Sequence, residues 1–381
     1  MPRTNAQLDA MDAYPLHRLD QARARIRAAG LALHDFGLGD PVEETPRFIR
    51  EALKDAIPER SRYPTVRGGA AVRQAIAGYL SRRFGVALDP ETQILPTSGS
   101  KEAIFHLPLA VIDPSAADRT VVFPDPSYPA YERGTRLAGG TPHAVALGAD
   151  WRFRPWELEA GILDQTRLIF INSPHNPSGV VAPLADLRRV HALCRERDIL
   201  LVSDECYADL YDEVPPPSAL QAGLDNVVVV HSLSKRSGMT AYRSGFLAGD
   251  ARWIRLLHDL RLNLGVAPQA FVNAAAVAAW SDDAHAEERR RTFAAKRACV
   301  RQFLEAAGYD VSPGEATFYL WFRAPNGDDL AYSAWLEAAG IVVTPGSILG
   351  STAAGKGWIR LAMAPDMAGC QAAIAAWKPL L

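Results

Sequence analysis

Residues 226–248 read NVVVVHSLSKRSGMTAYRSGFLA. A fully apolar run, Val227 to Val230, passes into a short and mostly polar turn, His231 to Ser234, and Lys235 stands directly after it. A second strand-like run opens at Ser244. The spacing predicts a lysine amine held at the edge of a sheet. Taken alone, Lys235 equally suits a solvated lysine that closes a strand.

Outward from this stretch, short β-branched runs alternate with longer helical patterns, the signature of a parallel sheet covered by helices. The predicted strands are Gln93–Pro96, Thr120–Phe123, Leu168–Asn172, Ile199–Ser203, Asn226–His231 and Ser244–Ala248. Most run straight into a polar or Gly/Pro loop: TSGSKEA (97–103), PDPSYPAY (124–131), SPHNPSG (173–179), DECY (204–207) and SLSK (232–235). Ligands of open α/β sheets bind just outside the carboxyl ends of the strands, so these loops point to one shared site. From Ala251 to Leu304 the pattern is helical, and strands are expected near Phe318–Phe322 and Trp358–Ala362. The expected division is an arm with part of a small domain over 1–42, a large domain over 43–275 and a small α+β domain over 276–381. A helix over Leu16–Ala29 is expected to pack with the small domain.

The bulk composition is that of a soluble globular chain, with 48% hydrophobic and 22% charged residues among 381. That length exceeds one ordinary core. A formal charge of −2 argues against nucleic-acid binding, which needs a concentrated excess of Lys and Arg. Cys194, Cys206, Cys299 and Cys370 form no CxxC pair, so neither a zinc site nor a disulfide framework is expected, and a reducing cytoplasm fits. The polar start MPRTNAQLDAMDAYPLHRL does not read as a signal peptide, and no apolar run is long enough to span a bilayer.

The chain has six lysines, and the five other than Lys235 fall on predicted helices, helix starts or exposed loops. Imine chemistry needs a lysine of lowered pKa, which burial and cationic neighbours supply; Arg236 and Arg243 are the expected neighbours. Asp204, thirty-one residues earlier, ends a strand and suits either a helix N-cap or a functional carboxylate. TSGSKEA reads as strand, glycine turn and helix start, a ready anion site with Ser100 offering a hydroxyl. Asn176 lies in a segment that is also a common turn, and Tyr128 also suits a surface tyrosine ahead of a proline. Arg360, in GWIRLAM, suits a carboxylate clamp or a surface ion pair.

Ser232, Ser234, Lys235, Arg243 and Gly245 stand in the pattern of the active-site segment of fold-type I aminotransferases, which this stretch resembles. The other loops resemble the same family in order and spacing across essentially the whole chain. The resemblance implies an α/β fold of that type, with a mostly parallel sheet in the large domain and a small α+β domain. It implies pyridoxal 5′-phosphate as cofactor, carried by Lys235 as an imine, and no metal. Asp204 would hold the pyridine nitrogen protonated so that the ring accepts electrons, and Tyr207 with Asn176 would bond the phenolic oxygen. Lys235, Asp204 and Tyr207 form the implied catalytic set. Gly99, Ser100, Lys101, Ser232, Ser234 and Arg243 would surround the phosphate, with Tyr128 stacked on the ring. Tyr63, in RYPTVRGG, would cross to a partner's cofactor phosphate and make an obligate homodimer with composite sites. Arg360 and Asn176 would hold the substrate α-carboxylate, bordered by the backbone of Gly39.

GDPVEETPRFIREAL, YPTVRGGAAVRQAIAGYLSRRFGV, SLSKRSGMTAYRSGFLAGD and EATFYLWF are similar to bacterial N-succinyl-L,L-diaminopimelate aminotransferases of lysine biosynthesis. Gly238, Thr240 and Ala241 depart from that pattern, and HSLSK, MT-x-YR and VFPDPSYPAY look like L,L-diaminopimelate aminotransferases. The expected reaction passes the amino group of N-succinyl-L,L-diaminopimelate to 2-oxoglutarate, with the unsuccinylated donor or another amino acid as the alternative. A succinylated donor needs a second cation, for which Arg236, Arg67 and Arg62 are candidates. A carbon–sulfur β-lyase is the enzymatic rival, because one cofactor supports both reactions. A ligand-sensing regulator would need a DNA-binding module, for which there is no room ahead of FGLGDP (36–41).

Overall fold

A computed structural model describes residues 3–9, 11 and 17–381. Its strands in chain order are β1 (His34–Asp35), β2 (Ile94–Thr97), β3 (Thr120–Asp125), β4 (Thr141–Ala146), β5 (Thr166–Asn172) and β6 (Leu200–Asp204). There follow β7 (Val227–Ser232), β8 (Gly245–Gly249), β9 (Tyr319–Arg323), β10 (Ile341–Val342), β11 (Thr344–Pro345) and β12 (Trp358–Ala362).

Seven strands form one sheet in the order β2-β8-β7-β6-β5-β3-β4. Strands β3 to β7 pair in parallel, whereas β8 runs against both β7 and β2. The valine run of β7 shows why the sheet is internal. Val227 and Val229 enter one apolar layer with Ile169, Ile171 and Phe246. Val228 and Val230 enter the opposite layer with Leu168, Phe170 and Leu247. Side chains alternate between the faces of a strand, so a continuous apolar run fits only a sheet covered on both faces.

Each strand predicted for this sheet is present within a residue or two, and β4 is an addition. Its sequence, TPHAVA, offers no apolar run because it lies at the open edge and is only partly buried. The reversal of β8 places the Lys235 segment inside an antiparallel connection, with Ser232 paired to Gly245.

The remaining strands build a smaller layer, with β11, β12 and β9 antiparallel and β1 parallel to β10. Phe318, Phe322, Ile359 and Leu361 fill its core. The helix His17–Ala28 sets Leu19, Ala22 and Ile26 against Val342 of β10; Leu16, its expected first residue, lies outside the described residues. Among the described residues no helix is long and apolar enough to cross a membrane.

Candidate active site

The carboxyl ends of β2, β3, β5, β6 and β7 lead into the five loops singled out above, and these converge on a cavity of about 390 Å³. Lining it are Gly39, Ser100, Lys101, Tyr128, Asn176, Asp204, Tyr207, Ser232, Ser234, Lys235, Arg243 and Arg360. Two expected residues stand apart. Gly99 lies behind Arg243, and Tyr63 is fully exposed on the surface of the chain.

Lys235 belongs to the short helix Leu233–Arg236, and its Nζ donates to the Gly39 carbonyl. Burial pushes its amine down to about 8; Asp40 and Cys206 oppose the fall, while Arg289 and Arg360 deepen it. The cationic neighbours are therefore Arg289 and Arg360 rather than Arg236 and Arg243. Arg236 turns away, because its guanidinium binds Asp209 at 2.8 Å, Asp283 at 2.8 Å and the Ala279 carbonyl at 2.7 Å. Being so engaged and buried, Arg236 is also withdrawn as a cation for a distal carboxylate. Arg67 pairs with Glu91 and Arg62 is exposed, and neither lines the cavity.

Asp204 ends β6 and is buried. Burial pushes its carboxyl above the usual range, while donation from Tyr131 Oη at 2.7 Å and the Cys206 backbone N–H at 3.2 Å draws it back down. Tyr131 stands in PDPSYPAY but has no role in the sequence reading. The available signal is its position three residues after Tyr128, close to the sheet at the start of the helix Ala130–Leu137. Its ring stacks on Phe170 at 4.7 Å, which aims the hydroxyl.

A cluster of cation, hydroxyl and backbone N–H groups forms where β2, β7 and β8 meet. Gly99, at φ 83°, caps the helix Ser100–Val111. A Cβ there would lie 2.5 Å from Arg243 Nη2, so glycine is what lets the guanidinium approach the helix start. Arg243 itself adopts φ 53°, an uncommon conformation for a side chain of its size. Ser232 accepts from the Ser234 N–H at 3.1 Å.

Arg360 projects from β12, buried, with Nη1 donating to Asn176 Oδ1 at 3.1 Å and Nη2 to the Gly37 carbonyl at 3.1 Å. Its guanidinium lies over Tyr319, 4.5 Å from the ring centre, and its buried Nε finds no hydrogen-bond partner among the described residues. Tyr319, absent from the sequence reading, also meets the Tyr207 hydroxyl at 3.1 Å. Arg360 Nη2 also donates to Thr344 Oγ1 at 3.3 Å, and a buried cation beside a buried amine suits an anionic ligand.

The model of the family described as aminotransferase class I and II matches residues 33–376. The LL-diaminopimelate aminotransferase of Nitratidesulfovibrio vulgaris strain Hildenborough is 34% identical, over 97% of this chain and 96% of that protein. The 4-dedimethylamino-4-oxo-anhydrotetracycline transaminase OxyQ of Streptomyces rimosus is 37% identical, over 92% of this chain and 94% of its own. Among solved structures, a probable N-succinyldiaminopimelate aminotransferase from Thermus thermophilus superposes with a TM-score of 0.89 at 26% identity, over 96% of this chain and all of the other.

Proposed function

The chain belongs to the class I and II aminotransferases, a family dependent on pyridoxal 5′-phosphate, and on that premise we propose that its amino donor is a diaminopimelate and its acceptor 2-oxoglutarate, within lysine biosynthesis. The observation that carries an amino-acid substrate is Arg360, a buried guanidinium that lines the same cavity as Lys235.

The residues present fit the cofactor. The Gly99 niche filled by Arg243, together with Ser100, Lys101, Ser232 and Ser234, would hold the phosphate at the start of the helix Ser100–Val111. Asp204 would face the pyridine nitrogen, Tyr128 would cover the ring, and Tyr207 and Asn176 would bond its phenolic oxygen. When bound, the cofactor supplies an electron sink for the substrate Cα and a carbon that carries the amino group from donor to acceptor.

The protein's own part is positioning and proton transfer. Arg360 grips the α-carboxylate and so fixes the direction of the Cα–H bond. Lys235 then takes the Cα proton of the donor and, in the reverse half-reaction, gives a proton to the Cα of the acceptor. With a pKa near 8, roughly a quarter of such amines are unprotonated at pH 7.5, against roughly one in a thousand at the ordinary value. Tyr319 packs beneath Arg360 and limits its movement.

For the donor, the free L,L-diaminopimelate takes first place. Relatives at 34% identity bear that name, and among the described residues the cavity wall holds no cation beyond Lys101, Lys235, Arg243 and Arg360. The N-succinyl donor, first in the sequence reading, becomes the second. Arg62 favours it, since it adjoins Tyr63 in the exposed stretch that would reach the cavity of a second copy and complete a composite site, with the half-buried Arg67 four residues beyond Tyr63. A panel of both diaminopimelates, aspartate, tyrosine and alanine, read as glutamate formed from 2-oxoglutarate, tests the proposal. One diaminopimelate should exceed the other donors by about two orders of magnitude or more. Comparable rates with alanine or tyrosine sink the donor assignment, and release of pyruvate and ammonia without glutamate would instead mark a lyase.

A further inference from the structure

Arg289 does not line the cavity and holds neither cofactor nor substrate in the reading above, yet it is built against the lysine. It lies on the helix Ala284–Ala306, far along the chain from the sheet, and is buried. Its Nε donates to the Lys235 backbone carbonyl at 2.9 Å. The guanidinium fits under Gly238, which has φ 65°; a Cβ at that glycine would lie 3.0 Å from Nη1 and 3.2 Å from Cζ. Gly238 is one of the positions where the chain departs from the succinyl-type pattern, and the space it leaves is occupied by this guanidinium. Thr45 Oγ1 donates to the Gly238 carbonyl at 2.6 Å and closes the other side of the turn. Arg289 Nη2 is buried and finds no hydrogen-bond partner among the described residues. A merely structural arginine would be expected to satisfy its donors, because an unpaired buried donor is costly.

We propose that Arg289 is a positioning residue for Lys235: it holds the lysine's carbonyl and sets a fixed positive charge against its turn, so that the side-chain nitrogen is presented as a base rather than an ammonium. The direction follows from Coulomb's law, since a nearby cation disfavours a second one. Asp204, Tyr207, Lys101 and Arg243 share the cavity with Lys235, and the strongest charges on it come from four elements. Asp40 on the 36–46 segment and Cys206 after β6 favour its charged form, whereas Arg289 and Arg360 on β12 disfavour it. Around Arg289 itself stand Glu43, which supports its charge, and Lys296 and His285, whose charged forms it disfavours.

The inference rests on Lys235 being the cofactor's attachment point, and the test separates the two. The holoenzyme is titrated with pH while the near-visible band of the lysine-linked cofactor is followed, in the unaltered protein, Arg289→Gln and Arg289→Lys. The midpoint should rise by about one pH unit in Arg289→Gln and return most of the way in Arg289→Lys, which restores the charge without the Nε contact. At neutral pH the Arg289→Gln enzyme should lose about tenfold in kcat with KM nearly unchanged. Arg289→Met, which places an apolar chain of similar reach beside Phe293 where the guanidinium lies 5.2 Å from the ring centre, replaces the amide variant if that one does not fold. A folded neutral variant with an unaltered midpoint overturns the proposal, whatever its melting temperature. Failure of the underlying reading looks different: the band would then persist in Lys235→Ala.

Discussion

The Tyr131 hydroxyl donates to the Asp204 carboxylate at 2.7 Å, with both groups buried beneath the cavity. Burial raises Asp204 and this hydrogen bond opposes the rise, so the tyrosine helps keep the carboxylate charged. Tyr131→Phe preserves the stack on Phe170 and removes only the donor. A hydrogen bond to a charged group contributes about 1.5–3 kcal/mol. The variant should therefore lose roughly ten- to hundredfold in kcat and bind the cofactor more weakly, with its melting temperature little changed. Steady-state rates and cofactor release on dilution measure both effects.

Lys235→Ala should lower turnover by roughly three orders of magnitude or more, because among the described residues no other buried amine lines the cavity to move the Cα proton. Lys101, which also lines the cavity, is exposed at the start of a helix. Denaturing mass spectrometry after borohydride reduction should show the cofactor's mass on the Lys235 peptide of the unaltered chain and on no peptide of the variant. Retained turnover would remove Lys235 from the mechanism.

The pH dependence follows from the same residue. Its amine falls to about 8 from an ordinary value of 10.5, and the base is the unprotonated form. Lys235 is a free amine only after the donor displaces it from the cofactor, so kcat should rise with pH through neutrality and level off above about 8. A limb that falls between pH 6 and 8 would mean that the working form is protonated.

The order in which these features became legible has a physical cause. The Lys235 segment, Asp204 and the glycine turn at 97–103 are local patterns, readable because backbone geometry and charge demand those residue types within a few positions. Tyr131, Tyr319 and Arg289 act across the fold. Arg289 reaches Lys235 from 54 residues away, and no spacing rule distinguishes it from the other arginines of AHAEERRRTFAAKRACVRQFLEA. Lys296, on the same helix, shows the converse. It resembles a solvated helix lysine but is wholly buried. Arg236 misleads by proximity, since its neighbour in sequence enters the cavity while its own side chain turns to Asp209 and Asp283.

Arg360→Gln should raise KM for amino acid and oxo acid together, because one carboxylate clamp serves both half-reactions. Losing a buried charge-assisted pair costs about 3 kcal/mol or more, a fall of roughly a hundredfold in kcat/KM. The cofactor band should stay, since Arg360 lies on β12 and not in the Gly99–Arg243 cluster. A selective loss for one of the two substrates would point to another clamp.

Lys296 offers a prediction about stability rather than chemistry. Its ammonium pairs with Glu43 and donates to the carbonyls of Met363 at 2.7 Å and Pro365 at 2.8 Å, so one buried cation ties the 36–46 segment to the end of β12. Lys296→Met leaves Glu43, whose Oε2 already has no hydrogen-bond partner among the described residues, without its cation, and strips two carbonyls of their donor. Breaking one side of such a pair costs about 3–5 kcal/mol, largely through the charge left behind. The double variant with Glu43→Gln removes that charge and should recover a substantial part of the loss. Urea unfolding of the single and double variants supplies the test: additive losses would show that the two side chains act independently, whereas recovery in the double variant identifies the uncompensated carboxylate as the source.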